Sequence, residues 1–143
     1  MGMVAEITTI TPAVIQEVLD VLEKDLRGDT SGFCMSPARS ATITPNLLRR
    51  WAKSESHFYT VRNEGVLVGW CFVAPRLFGK ENMVVWMHLT AATYSTAARA
   101  LVAVLTEAYP TFSYPPENPV VSVPDLWPSG IVVDARRGMA HRG

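Results

Sequence analysis

Apolar residues recur along this chain with two different periods. Val14, Ile15, Val18, Leu19, Leu22 and Leu26 fall at the spacing of one helical face. Thr11-Pro12 marks the start of that helix, with Thr as N-cap and Pro as first helical residue, and Gly28 marks its end. Asp20/Lys24 and Glu23/Arg27 stand four apart, acid first, which suits a polar outer face. A short β-branched stretch, Val4 to Ile10, precedes the helix and reads as a strand.

After a loop-like stretch over 28–43, Thr44-Pro45 repeats the helix-start signal, and Leu47, Leu48 and Trp51 give a short helix one apolar face. His57 to Arg62 reads as a strand. Asn63-Glu64-Gly65 reads as a three-residue hairpin connection with Gly placed for positive φ. Val66 to Ala74 is almost wholly apolar, the mark of a central strand buried on both faces. A polar loop from Pro75 to Asn82 leads into a strand over Met83 to Thr90. Ser95 to Tyr109 follows as a helix packing through Leu101, Val102, Val104, Leu105 and Ala108, and Pro110 ends it. Thr111–Tyr114 and Pro119–Val123 are strand-like, and Ile131–Asp134 suits a short edge strand. The order is β-α-α-β-β-β-α-β, an α/β chain with a mixed sheet that needs both hairpin and crossover connections. It predicts one domain over 1–134 and a flexible basic tail over 135–143.

Composition narrows the function classes. The 143 residues fit one domain, and 48% apolar against 18% charged residues is enough to build a core. Lys plus Arg and Asp plus Glu number 13 each, so no net charge draws the chain to nucleic acid or to an anionic membrane. No apolar run reaches membrane-span length, and no signal peptide is read at the N-terminus. Cys34 and Cys71 form neither a zinc pattern nor a disulfide framework. The expectation is a cytoplasmic protein with no metal site.

Three passages carry a family resemblance. "ITTITPAVIQEVLDVLEKDL", "TPNLLRRWAKSESHFYTVRNEGVLVGWCFVAP" and "MVVWMHLTAATYSTAARALVAVLTEAYP" resemble, in order, the first strand and helix, the second helix with its hairpin, and the fourth strand with the next helix of the GNAT superfamily of N-acyltransferases. The resemblance runs from about Ala5 to Val123. It implies an acetyl-CoA or other acyl-CoA donor, transfer to an amine of a small molecule, a protein or a modified nucleobase, and oligomerisation through exposed strand edges. In the family, a Gln/Arg-x-x-Gly-x-Gly/Ala loop holds the CoA pyrophosphate with backbone amides. Here Thr93, Thr96 and Ala98 occupy the three signature positions, and Ala98 matches. The resemblance assigns Leu89 and Thr90 to the pantetheine arm and Thr93, Tyr94, Ser95, Thr96, Ala97 and Ala98 to the phosphates.

By the same resemblance His88 or Glu81 is the base that deprotonates the amine, and Tyr114 the acid near the departing thiolate. Each has a plainer reading: His88 as a satisfied core histidine, Glu81 as a solvated loop carboxylate, and Tyr114 as a structural residue beside Pro115-Pro116. The altered loop admits two outcomes, an unusual cofactor loop or an ordinary N-capped helix on a non-catalytic binding module. Cys71 reads as buried and inert, and Trp70 and Trp86 as neighbours on adjacent strands. Arg39, Arg49, Arg50 and Lys53 read as a solvated helix face. A phosphate or nucleic-acid contact is the alternative for that stretch.

Overall fold

A computed structural model of the chain describes residues 2–27, 46, 49, 50, 57–75, 82–90, 93–109, 111–113, 131–134 and 139–142. Strand β1 (Met3–Ile7) leads into helix α1 (Pro12–Arg27). Strands β2 (His57–Asn63), β3 (Val66–Pro75) and β4 (Asn82–Leu89) follow, then helix α2 (Tyr94–Ala108) and strands β5 (Thr111–Ser113), β6 (Ile131–Asp134) and β7 (Met139–Arg142). They form one sheet in the order β1-β2-β3-β4-β5-β7-β6. Neighbours β1 to β4 are antiparallel, β4 and β5 are parallel, and β7 runs antiparallel to both β5 and β6. This is the mixed α/β architecture that the hydrophobic pattern predicts.

The start of α1 follows its sequence signal. Thr11 Oγ1 accepts the Val14 N–H at 3.2 Å, and Pro12 is the first helical residue. The hairpin is one residue tighter than predicted. Asn63 pairs with Val66, so Glu64-Gly65 alone make the turn, at φ 52 and 85. Two consecutive positive φ values give the local twist that antiparallel strands favour, which explains the shorter connection.

The sheet has an apolar layer on each face. Ile15, Val18 and Leu22 of α1 meet Phe58, Leu67, Trp70 and Phe72 on one face. Ala97, Ala98, Leu101, Val102 and Leu105 of α2 meet Tyr59, Val61, Val68, Cys71, Val73, Met87 and Leu89 on the other. Residues Leu67 to Val73 of β3 are therefore all buried, as a central strand requires. On α2 the packing face is rotated from the predicted one. Ala97 and Ala98 are buried, whereas Ala108 is exposed. Thr106 takes an inward position because its hydroxyl donates back to Val102 O at 2.9 Å.

Two bulges let the strands change register. Val68 is passed over between the pairs Val61↔Gly69 and Arg62↔Leu67, and Val85 between Phe72↔Trp86 and Val73↔Val84. At Gly69 the strands come close. A Cβ there would stand 2.7 Å from Leu89 Cδ2 and 3.0 Å from the His88 carbonyl oxygen.

The predicted tail is corrected by the structure. Residues 139–142 are strand β7, lying between β5 and β6 with Ala140 fully buried. Pairing on both edges satisfies the backbone of a stretch too short and too polar to read as a strand alone. Ile131–Asp134 is the edge strand that the sequence suggests. Among the described residues, no helix is long and apolar enough to cross a membrane.

Candidate functional site

The parallel pair at the centre of the sheet is joined at one end. Asn82 pairs with Phe112 and Met83 with Ser113, while β4 runs on to Leu89. Among the described residues, Met87 to Leu89 have β3 on one side and no partner strand on the β5 side. The chain then passes through Thr90 and Thr93 into α2, so the helix N-terminus stands just beyond the Leu89 end of β4.

That helix start has an open first turn. Thr93 is the N-cap at φ −121 and ψ 17, and its side chain makes no capping bond. No acidic side chain lies in the first turn. Among the described residues, the leading amides of α2 therefore have no N-cap hydroxyl and no first-turn carboxylate as acceptor. Ser95 and Thr96 are exposed beside them, while Ala97 and Ala98 are fully buried against the sheet. Of the residues matched to the phosphate loop, the first-turn pair faces solvent and the alanines serve packing. None of residues 93–98 is a glycine.

His88 lies elsewhere. Strand alternation turns it to the α1 face, where it is 0% exposed. Its Nε2 donates to Asp25 Oδ2 at 2.6 Å, and Thr90 Oγ1 donates to the same oxygen at 3.1 Å. The Trp70 ring stacks on the imidazole, with centroids 4.6 Å apart and planes 18° apart. Trp70 stands opposite His88 in the register of β3 and β4. The burial and the Nε2 pairing are those of a core histidine. Asp25 escaped the sequence reading, yet a signal existed. It continues the 15, 18, 22 spacing of the buried face of α1 at the next inward position.

A second polar cluster occupies the α2 face. Tyr109 Oη shares hydrogen bonds with His57 Nδ1 at 2.6 Å and with Tyr59 Oη at 2.8 Å. His57 is exposed and both tyrosines are buried, so the chain of hydroxyls runs inward from solvent. Burial, reinforced by the bond to Tyr59, holds the Tyr109 phenol above its ordinary pKa of 10.0. The buried Cys71 thiol is likewise pushed up by desolvation, which fits the inert role expected for it. Glu81, Tyr114, Cys34, Arg39, Lys53 and the Pro119–Val123 stretch lie outside the described residues. Arg49 and Arg50 are exposed, and Arg49 Nη1 donates to Asn46 Oδ1 at 2.9 Å. Among the described residues, no group of three or more His, Cys, Asp or Glu could hold a metal ion.

No protein-family model and no curated protein matches the chain. Five solved chains match it in structure. One is a crystal structure from Desulfovibrio desulfuricans described as an inferred acetyltransferase of the GNAT family. It superposes with a TM-score of 0.58 at 15% identity, covering 78% of this chain and 71% of that one. At that identity the likeness speaks for the fold, which is GNAT-like.

Proposed function

We propose that the chain is an acyl-CoA-dependent N-acyltransferase. One observation carries this reading: the parallel strands β4 and β5 are paired through Asn82 and Met83, and α2 begins beyond the opposite end of β4. In this arrangement an extended, amide-bearing ligand such as a pantetheine arm adds to β4 near Leu89, backbone to backbone. The open first turn of α2 offers amides and a partial positive charge to a pyrophosphate.

In this reading Leu89 and Thr90 hold the pantetheine through their backbone. Residues 93–98 receive the phosphates, with the exposed Ser95 and Thr96 hydroxyls beside the amides. An acyl-CoA brings an activated thioester, and the chain has to orient an amine and take its proton. His88 is buried and committed to Asp25, so it does not meet the amine itself. The role of base passes to Glu81, directly or through a water, and Tyr114 donates to the departing thiolate. A cytoplasmic setting and an amine acceptor belong to the same proposal.

Calorimetric titration with acetyl-CoA tests it. Saturable binding below millimolar ligand is the expected result, and no heat at millimolar ligand removes the acyltransferase reading. Thr93 and Thr96, standing at the first and second signature positions of the loop, favour a second reading, a non-catalytic binding module on the same fold. It gains ground if acetyl-CoA binds and no amine offered is acylated.

A further inference from the structure

Asp25 is an anomaly on its helix. It occupies an inward position in line with Ile15, Val18 and Leu22 and is 4% exposed. It also lies in the last turn of α1, where the helix carbonyls make a negative charge unfavourable. A buried ionic pair is often no more stable than apolar side chains of the same volume, so its value can lie in fixing one geometry.

What it fixes can be followed bond by bond. Asp25 Oδ2 accepts from His88 Nε2 and from Thr90 Oγ1, which ties the end of α1 to the end of β4. Thr90 is further held by its own amide, which donates to Val68 O at 2.9 Å. The Thr90 carbonyl in turn accepts the Thr93 N–H at 3.2 Å. Thr93 is the N-cap of α2. A continuous path therefore runs from Asp25 through Thr90 and Thr93 to the open amides of the first turn of α2.

We infer that Asp25 and Thr90 form a latch that aims the first turn of α2 and thereby sets its affinity for acyl-CoA phosphates. Both are positioning residues. The inference rests on the acyltransferase reading above. His88 anchors the carboxylate from the sheet side, and Trp70 backs the imidazole, so the acceptor oxygen has one place to stand. Removal of the Thr90 hydroxyl cuts the tie from Asp25 to the residue whose carbonyl holds the Thr93 amide, while leaving α2 packed through Ala97, Ala98 and Leu101.

The experiment titrates acetyl-CoA into the full chain and three variants, Thr90→Val, Thr90→Ser and Asp25→Asn, with a melting temperature measured for each. Thr90→Val, nearly isosteric, is expected to bind about tenfold more weakly while melting close to the parent, the size of effect one hydrogen bond supplies. Thr90→Ser, which restores the hydroxyl, is expected to regain the parent affinity. Should Thr90→Val fail to fold, Asp25→Asn carries the same measurement. Undiminished binding by Thr90→Val overturns the latch, and so does equal weakening by Thr90→Ser. Collapse of both Thr90→Val and Asp25→Asn makes the cluster a fold element alone and overturns it too. Failure of the parent chain to bind is a different outcome, which removes the acyltransferase reading before any variant is measured.

Discussion

His88 on β4 and Asp25 on α1, 63 positions apart in the chain, meet Nε2 to Oδ2 across 2.6 Å with the imidazole wholly buried. This bond joins α1 to the sheet beneath the aliphatic and aromatic contacts, as the Glu17–Arg62 pair does nearer solvent.

Loss of either partner breaks the pair in a dry site. Asp25→Ala and His88→Ala are each expected to lower unfolding free energy by about 3–5 kcal/mol in urea titrations. The double replacement Asp25→Leu with His88→Phe should retain more stability than either single alanine variant. Simple additivity of the two losses would contradict a coupled pair.

Gly69 is tested by one methyl group. Its Cβ would meet Leu89 Cδ2, which can turn away, and the His88 carbonyl, which cannot without moving β4. Gly69→Ala is expected to cost about 1–3 kcal/mol in the same urea assay. A neutral result would mean that the two bulges absorb the shift.

Tyr109 joins His57 to Tyr59, and removal of its hydroxyl leaves two groups to find new partners. Tyr109→Phe should destabilise by about 1–3 kcal/mol. Because burial raises its pKa, Tyr109 should stay protonated in an alkaline absorbance titration until the chain unfolds. Tyr59→Phe should ease that resistance, since the bond to Tyr59 is the second cause of the shift.

The Glu17–Arg62 pair gives a pH signature. Arg62 Nη1 and Nη2 donate to the two carboxylate oxygens of Glu17 at 2.6 and 2.7 Å. The hydrogen bond from Arg62 pulls the Glu17 pKa below its ordinary 4.5, against a smaller opposing effect of burial and with help from the guanidinium charge. A lowered folded-state pKa contributes stability above the ordinary value and loses it as pH falls through the folded value. The pair is partly exposed, so its worth is about 1 kcal/mol or less. The melting temperature of Glu17→Gln should therefore lie below the parent at neutral pH, and the gap should close as pH drops below 4.5. A gap that persists in acid would assign the effect to packing.

Local signals in the sequence were the readable ones. The Thr11-Pro12 start, the Gly65 turn and the all-apolar β3 follow from chemistry within a few residues, and each is in the structure. The polar clusters escaped because they join residues about 50 or more positions apart. Asp25 also breaks the apolar pattern by which an inward face is recognised, so only its spacing betrays it. His88 could be placed on a strand, on one face with Trp86 and Thr90 by alternation, but its partner Asp25, 63 positions away, could not be read from the sequence. The stretch 139–142 looked like a tail because a strand paired on both edges draws its stability from its neighbours rather than its own propensity.

That inserted strand sets an order of events during synthesis. β5 and β6 are separated by β7, which follows both in the chain, so this side of the sheet cannot close until residues 139–142 have emerged. The β1–β4 meander and both helices can collapse earlier, leaving β5 paired on one edge and open on the other. The nascent protein thus passes through a stage with an unprotected sheet edge, and a pause before residue 139 would prolong its exposure to aggregation.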